Sequence, residues 1–329
     1  MPTLTLSQAH PLVTAALSRA TTSESNARSV ARALVMAEAD GLKGHGLSRV
    51  PMYAAQAKVG KVDGQAAPLL TRKKPGLIAV DAANGFAYPA IELAEAALPD
   101  IARSQGVAAA AIHRSHHCGA AGHPVERLAA AGLVAILFVN TPAGIAPWGG
   151  SKAVLGTNPV AFACPLPGRP PLTIDLSLSK VARGNIMTAK QRGETIPEGW
   201  ALDAHGQPTT DPDAALAGTM VPMGDAKGTA LALMVELLAA GLTGANFAAD
   251  ASSFLDAKGP PPGTGQLIVA FDPAAFGGDA ISRFGVLAQS IEAQQGVRLP
   301  GMRRLASRQK AQAEGLAISD ALLKEIEAV

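Results

Sequence analysis

An α/β domain bracketed by helical chain ends is the fold this sequence predicts, on three observations. Between residues 76 and 295, short β-type runs alternate with helical patterns, the signature of a sheet covered by helices. Residues 1–75 and 296–329 read as helical segments that pack with each other. At 329 residues the chain is longer than one ordinary core, so two structural units are expected.

Ser7 to Ala20 and Ser23 to Ala39 read as helices. In the second, Ala27, Val30, Ala31, Leu34 and Val35 form an apolar stripe, and Ser23 or Ser25 can cap it. A third helix runs from about Ser48 to Val59, since Pro51 is tolerated in a first turn. The β-type runs are Leu77–Val80, Val107–Ile112, Leu133–Val139, Val160–Cys164, Leu172–Asp175 and Leu267–Phe271. Helical patterns at Pro89–Ser104, Pro124–Ala131 and Gly228–Leu242 lie between them. Gly184 to Met223, with Pro197, Pro208, Pro212 and Pro222, reads as a long functional loop region. Pro260 to Gly263 marks another loop, and helices return at Leu305–Glu314 and Asp320–Ala328, with Ser319 as a cap.

Composition narrows the function. The chain is 48% apolar, 16% charged and 4% aromatic, which is globular and not disordered. Its formal net charge is +2, with no basic cluster interleaved with aromatics, so nucleic acid is not an expected partner. No signal peptide is legible, and the longest apolar run, Leu231 to Leu242, contains Glu236 and is too short to span a bilayer. Cys118 and Cys164 suit a reducing cytoplasm and give no disulfide framework.

Asp40 to Arg49 carries the densest chemistry, with His45 between Gly44 and Gly46 and Arg49 four residues on. Glycine lets a ligand approach the main chain closely. Imidazole exchanges a proton near neutral pH, and a guanidinium forks a carboxylate. The stretch reads as a site that holds a carboxylate and protonates something beside it. A glycine-rich helix end with a solvent-facing His and Arg is the alternative.

Ser115 to His123 follows a predicted strand and leads into a helix, a passage whose free N–H groups suit a phosphate. Zinc at His113, His117 and Cys118 is the alternative, but no second ligand pair at zinc-like spacing follows. Ser177 to Lys180 matches S-x-x-K without its partner motifs, and no G-x-S-x-G exists, which disfavours a hydrolase. G-x-G-x-x-G is missing too, so no dinucleotide is expected through the usual Rossmann fingerprint. Gly156-Thr157-Asn158-Pro159 is either a plain turn or one whose hydroxyl and amide face a ligand. Lys227-Gly228 opens a helix, where a cation makes sense if it meets an anion. Arg298, Arg303 and Arg304 are either a solvated basic turn or a phosphate grip.

Taken in order, His45–Arg49 (H-G-x-x-R), Gly156–Pro159, Lys227-Gly228 and Leu299-Pro300-Gly301 resemble the malate/L-lactate dehydrogenase family from end to end. Ser115-His116-His117, Met234 to Gly244 and Thr264 to Leu267 look most like its Δ1-piperideine-2-carboxylate/Δ1-pyrroline-2-carboxylate reductases. The resemblance implies a non-Rossmann NAD(P)-binding α/β domain with a mixed sheet, a helical domain built from both chain ends, and a homodimer. It implies His45 as proton donor and Arg49 and Thr157 as substrate ligands. His117, Cys118, Gly119, Ala120, Ala121, Asp175, Leu176, Ser177, Ala226 and Lys227 would line an NADPH site, with NADH as the alternative. Arg298, Leu299, Pro300, Gly301, Met302, Arg303 and Arg304 would complete it.

Three positions depart from the cyclic-imine reductases. Gly44 stands where they place a serine, Asn185 where they place a relay aspartate, and Arg183 where they place a histidine. Arg183 is thus a further candidate for holding the substrate. The expected reaction is hydride transfer from NADPH to the C=N carbon of a small cyclic imine carboxylate, giving L-proline or L-pipecolate. His45 would supply the proton and Arg49 would fix the carboxylate. Reduction of an open-chain 2-oxo acid to an L-2-hydroxy acid uses the same two residues and is the alternative. A ligand-binding homologue with weakened turnover is a third reading, suggested by Gly44 and Asn185. The expected partner is a small carboxylate; no metal, nucleic acid or membrane is expected.

Overall fold

The computed structural model describes residues 2–329. Seven strands form one mixed sheet: β1 (Leu69–Lys74), β2 (Leu77–Asp81), β3 (Val107–Ser115), β4 (Val134–Val139), β5 (Val160–Leu166), β6 (Arg169–Leu176) and β7 (Thr264–Phe271). Their order across the sheet is β1-β2-β3-β7-β4-β5-β6. Among the described residues only β2 and β3 run parallel within it; every other neighbouring pair is antiparallel. A parallel pair needs a crossover, and the helix Ala87–Gln105 supplies it.

The sheet's middle is apolar for a simple reason. Ala108, Ala110 and Ile112 of β3, Ala135 and Leu137 of β4, and Ile268 and Ala270 of β7 alternate inward and are buried. Helix Ala87–Gln105 packs on β3 and helix Gly122–Ala130 on β4 and β5. Small alanines on the strands let both helices lie close.

Both chain ends build a second core. Val13 and Leu17 (helix Leu6–Arg19), Val30 and Leu34 (helix Glu24–Ala39), Tyr53 (helix Val50–Lys58) and Ile326 (helix Asp320–Glu327) share one buried cluster. Thr3–Leu4 pairs antiparallel with Leu316–Ala317, and the Lys58 Nζ donates to the Val329 carbonyl at 2.7 Å. Caps start these helices: Thr5 forms a capping box with Gln8, Ser23 accepts from Asn26 N–H, and Ser319 from Leu322 N–H.

Three findings differ from the sequence reading. Gly184–Met223 is not a loop. It holds helix Arg183–Arg192, helix Pro212–Ala217 and a three-stranded sheet of Ala201–Leu202, Pro208–Thr209 and Thr219–Met220. Its own core includes Ile186, Ile196, Ala201 and Met220. Two-residue strands are too short to show an alternating pattern, so only the turn residues were legible. The sheet also begins at Leu69, ahead of the texture change at residue 76, because β1 is a mostly exposed edge strand ending in Arg72, Lys73 and Lys74. Helix Ala280–Glu292 was not anticipated. Among the described residues, no helix is long and apolar enough to cross a membrane.

Candidate active site

One end of the sheet collects the chemistry. Ser115 lies opposite Thr264, Gln266 opposite Val139, Phe138 opposite Val160, and Val160 opposite Leu176. The register therefore brings to one edge the segments that follow β3, β4 and β6 and those that precede β5 and β7. These carry His116 to Ala121, Asn140-Thr141, Ser177, and Gly156 to Asn158. The sequence spreads them from His116 to Ser177; strand pairing gathers them.

His45 reaches this edge from the helical unit. It ends a 3₁₀ turn, Lys43–His45, and Arg49 ends the next, Leu47–Arg49. The buried Glu38 carboxylate fixes the passage by accepting from Leu47 N–H at 2.9 Å. A Cβ on Gly46 would stand 2.2 Å from that carboxylate, so glycine is required there. The His45 ring stacks on His117, with centroids 5.2 Å apart and planes 15° from parallel. His117 Nδ1 lies 2.5 Å from Tyr53 Oη, which lies 3.1 Å from Tyr88 Oη. Phe254 closes over His116 and His117, each centroid 5.2 Å away.

Burial, with the positive charge of Arg49 and then His123 behind it, lowers the His45 pKa to about 4. His116 is lowered to about 3 by burial, then Lys61 and Arg49. His117 is held well below the ordinary range by burial, then Arg49, His45 and His116. Three neutral rings thus stand together at neutral pH. Arg49 turns its Nε to the Gly44 carbonyl at 2.7 Å, leaving the outer nitrogens for a ligand.

Thr157 is held by a buried polar network. Its N–H donates to Thr141 Oγ1 at 2.9 Å, and the two hydroxyls are 3.2 Å apart. Asn158 takes φ 39° and donates through Nδ2 to Ala232 O and to Glu236 Oε2, at 2.9 and 2.7 Å. Asn140 Nδ2 reaches the other Glu236 oxygen at 3.3 Å, and Ala248 N–H reaches it at 2.6 Å. A Cβ at Gly156 would meet Thr141 O at 2.3 Å. A satisfied network of this kind makes one loop geometry rigid. No hydrogen bond joins Thr157 or Arg183 to the histidine pair among the described residues.

The expected cofactor residues fall along β6 and the start of helix Gly122–Ala130. Gly119 has φ 69°, and a Cβ there would sit 2.6 Å from Tyr88 Oη. Cys118, Ala120 and Ala121 are buried, while Asp175 Oδ2 accepts from Gly122 N–H at 2.7 Å. The N–H groups expected to be free for phosphate are thus partly claimed by a carboxylate. Leu176 pairs with Val160, and the Ser177 hydroxyl lies 2.7 Å from that of Ser179. Leu299 is buried beneath β6, and Gly301, at φ 83°, packs on Thr173 O. Ala226 and Lys227 begin helix Ala226–Glu236, tied to the β6 side by the Met223 N–H to Leu178 O bond at 2.8 Å. Lys227, Arg298 and Arg303 are exposed, as are Pro300 and Met302. No carboxylate lies within ion-pair distance of those three cations among the described residues, so they suit a dinucleotide phosphate.

Arg304 differs. Its guanidinium pairs with Glu126 at 2.7 Å and Asp40 at 3.2 Å, beside Arg308 and His123, which bind the same Asp40. Asp40, which opens the His45 stretch, is thus the hub of a buried ionic cluster. That occupies Arg304 structurally.

A model of the malate/L-lactate dehydrogenase family matches residues 4–327. The chain belongs to this family. It is 53% identical over 328 residues to a (2R)-3-sulfolactate dehydrogenase (NADP(+)) of Chromohalobacter salexigens, covering 99% of this chain and 97% of that protein. It is 41% identical to a Δ1-pyrroline-2-carboxylate reductase of Ancylobacter novellus, covering 99% and 97%. The solved Δ1-piperideine-2-carboxylate reductase of Pseudomonas syringae superposes with a TM-score of 0.95 at 37% identity, covering 100% of this chain and 99% of that one. This malate/L-lactate dehydrogenase family member is therefore an oxidoreductase with relatives acting on both hydroxy acids and cyclic imines.

Sequence reading missed several supports of the site: Glu38, Tyr53, Tyr88, Asn140, Glu236 and Phe254. Tyr53 carried one usable signal, since it lies four residues after Arg49 and so one helical turn along. Glu38 acts within nine residues of its own position, and the remaining four act only through contacts distant in sequence.

Proposed function

We propose that this chain is an NADP-dependent dehydrogenase of a 2-hydroxy acid bearing a second anionic group, of the 3-sulfolactate type, working reversibly with the 2-oxo acid. Arg183 carries the reading. Its side chain is partly buried, its single hydrogen bond goes to Leu216 O at 3.0 Å, and its Nε is buried without a partner. A guanidinium enclosed without a carboxylate is costly unless an anion completes it. The 53% identical relative, whose name is that of an enzyme for a substrate with a sulfonate beside a carboxylate, supports the same substrate class.

The proposal assigns the carboxylate to Arg49, the second anion to Arg183 and a further substrate contact to Thr157. His45, neutral at rest, accepts the hydroxyl proton in the oxidative direction and returns it in the reductive one. The carboxylate on Arg49 offsets one of the charges that hold His45 down, so substrate binding raises its proton affinity. NADP+, when bound, would supply the hydride acceptor for C2. Lys227, Arg298 and Arg303 are the residues proposed to hold its phosphates, and a preference for NADP over NAD follows from them. The chain is further proposed to act as a cytoplasmic homodimer.

Cyclic-imine reduction is the second reading, supported by the 41% identical reductase and the solved piperideine-carboxylate reductase. Initial rates separate the two: 3-sulfolactate, malate and lactate with NADP+ or NAD+, and Δ1-pyrroline-2-carboxylate with NADPH. The proposal expects 3-sulfolactate to lead, and Arg183→Met to cut its kcat/KM by about 100-fold while sparing lactate. Faster turnover of the imine, or equal losses on lactate, would overturn it.

A further inference from the structure

We infer that Tyr53 is a positioning residue: it fixes which nitrogen of His117 carries the proton, and through the His117–His45 stack it orients the proton-transferring ring. The inference rests on the reading of His45 as the base.

Tyr53 is fully buried in helix Val50–Lys58, and its Oη has two partners, Tyr88 Oη and His117 Nδ1. A phenol has one proton to donate. Burial raises the Tyr53 pKa to about 12 and that of Tyr88 well above its ordinary value, so both hydroxyls keep their protons. Tyr88 Oη has no other hydrogen-bond partner among the described residues. If its proton is not to be stranded in the core, it must go to Tyr53 Oη. Tyr53 then donates to His117, and Nδ1 is the acceptor. A neutral imidazole with a bare Nδ1 carries its proton on Nε2. The chain of donors therefore runs Tyr88 to Tyr53 to His117 and leaves one defined N–H beside His45.

Three further observations give that orientation weight. His45 Nδ1 is buried with no hydrogen-bond partner, so nothing polar holds the ring from that side. The nearest hydrogen-bonded support is the stacked His117, and Phe254 prevents that ring from tilting away. Lys61 anchors the Phe254 loop, its ammonium donating to the carbonyls of Ser253, Asp256 and Lys258 at 2.6, 3.0 and 2.6 Å.

Long-range proton–nitrogen NMR of the full chain labelled with 15N-histidine tests this without any substrate. His117 is expected to show a protonated Nε2 and a bare Nδ1. In Tyr53→Phe the signal should become a tautomer mixture, while kcat for hydroxy-acid oxidation falls about 10- to 100-fold and KM moves less than about twofold. Tyr88→Phe should retain the Nε2–H form, because Tyr53 still donates, and should lose less activity. A wild-type His117 protonated on Nδ1 would overturn the inference even if Tyr53→Phe failed to fold. An unchanged tautomer and kcat in a folded Tyr53→Phe would do the same. Absence of hydroxy-acid turnover in the wild type, with the Nε2–H form present, would refute the proposed reaction and leave the donor chain standing.

Discussion

His45 and Arg49 lie four residues apart and do different work, so their losses are expected to separate kinetically. His45→Ala should lower kcat for hydroxy-acid oxidation by about 10²–10⁴-fold with the NADPH affinity unchanged. Arg49→Ala should weaken kcat/KM by about 2–5 kcal/mol, because a substrate carboxylate would be enclosed without its partner. The pH profile follows from the depressed ring. With a pKa lowered to about 4, His45 stays in its base form down through mildly acid solution. The acid limb of kcat/KM should therefore lie far below the ordinary histidine value of about 6.5. A limb at the ordinary value would mean that burial and Arg49 do not act on the ring as the structure places them.

At the scale of elements, a glycine inside one signature motif and a glycine just before another have opposite meanings. A Cβ at Gly228 would lie 1.8 Å from Met223 O, a backbone atom that cannot give way cheaply. Gly44 has nothing within 4 Å of the same position. Gly228→Ala should therefore lower Tm by several degrees or abolish soluble protein, whereas Gly44→Ala should shift stability by less than about 0.5 kcal/mol. Thermal melts of the two variants check this. Elements with strong periodicity were the legible ones. Helix Glu24–Ala39 showed its stripe and cap, and β4 its apolar run, because each buries a continuous face. β1 was illegible because it is an edge strand whose exposed Arg72, Lys73 and Lys74 keep it from pairing with other chains. For the site, His45, Arg49 and Thr157 were readable from local motifs. Asn140 and Glu236 were not, since Glu236 joins Asn140 and Asn158 across sequence separations of 96 and 78 residues. Arg304 shows the converse, a basic residue in a basic motif that is engaged by Glu126 and Asp40.

Over the whole molecule, the buried imidazoles make stability depend on pH. Unfolded, His45, His116 and His117 each bind a proton as the pH falls through about 6.5. Folded, His45 and His116 remain neutral until about 4 and about 3, and burial holds His117 neutral well below its ordinary value. The unfolded state then binds more protons, so stability is full above that range and declines as the pH drops through it. Glu95 acts in the opposite sense: burial raises its pKa to about 7, so its share grows as the pH falls below that value. Burial raises the carboxyls of Glu38 and Asp175 in the same sense as Glu95, while a depressed His10 adds to the imidazoles. Urea midpoints should fall between about pH 7.5 and pH 5, and a level midpoint would contradict the three neutral rings. The proposed dimer has a surface available to it. Leu231, Met234, Leu237 and Leu242 are 41, 41, 54 and 67% exposed along one helical stretch. Light scattering is expected to give twice the chain mass, and Leu237→Arg to reduce it to one.

The order of strands also governs how the molecule can be made. β7 sits between β3 and β4 yet is the last of the seven strands to leave the ribosome. Until residue 271 emerges, β1 to β3 and β4 to β6 are two separate ribbons, each with an uncapped inner rim. Those rims are among the most apolar strands of the chain, the sort that nascent polypeptides must keep from neighbours. The sheet therefore closes late, as a zip whose slider is delivered last. Premature termination between β6 and β7 would release a product with two adhesive seams, destined for chaperones or aggregates and not for a partial enzyme.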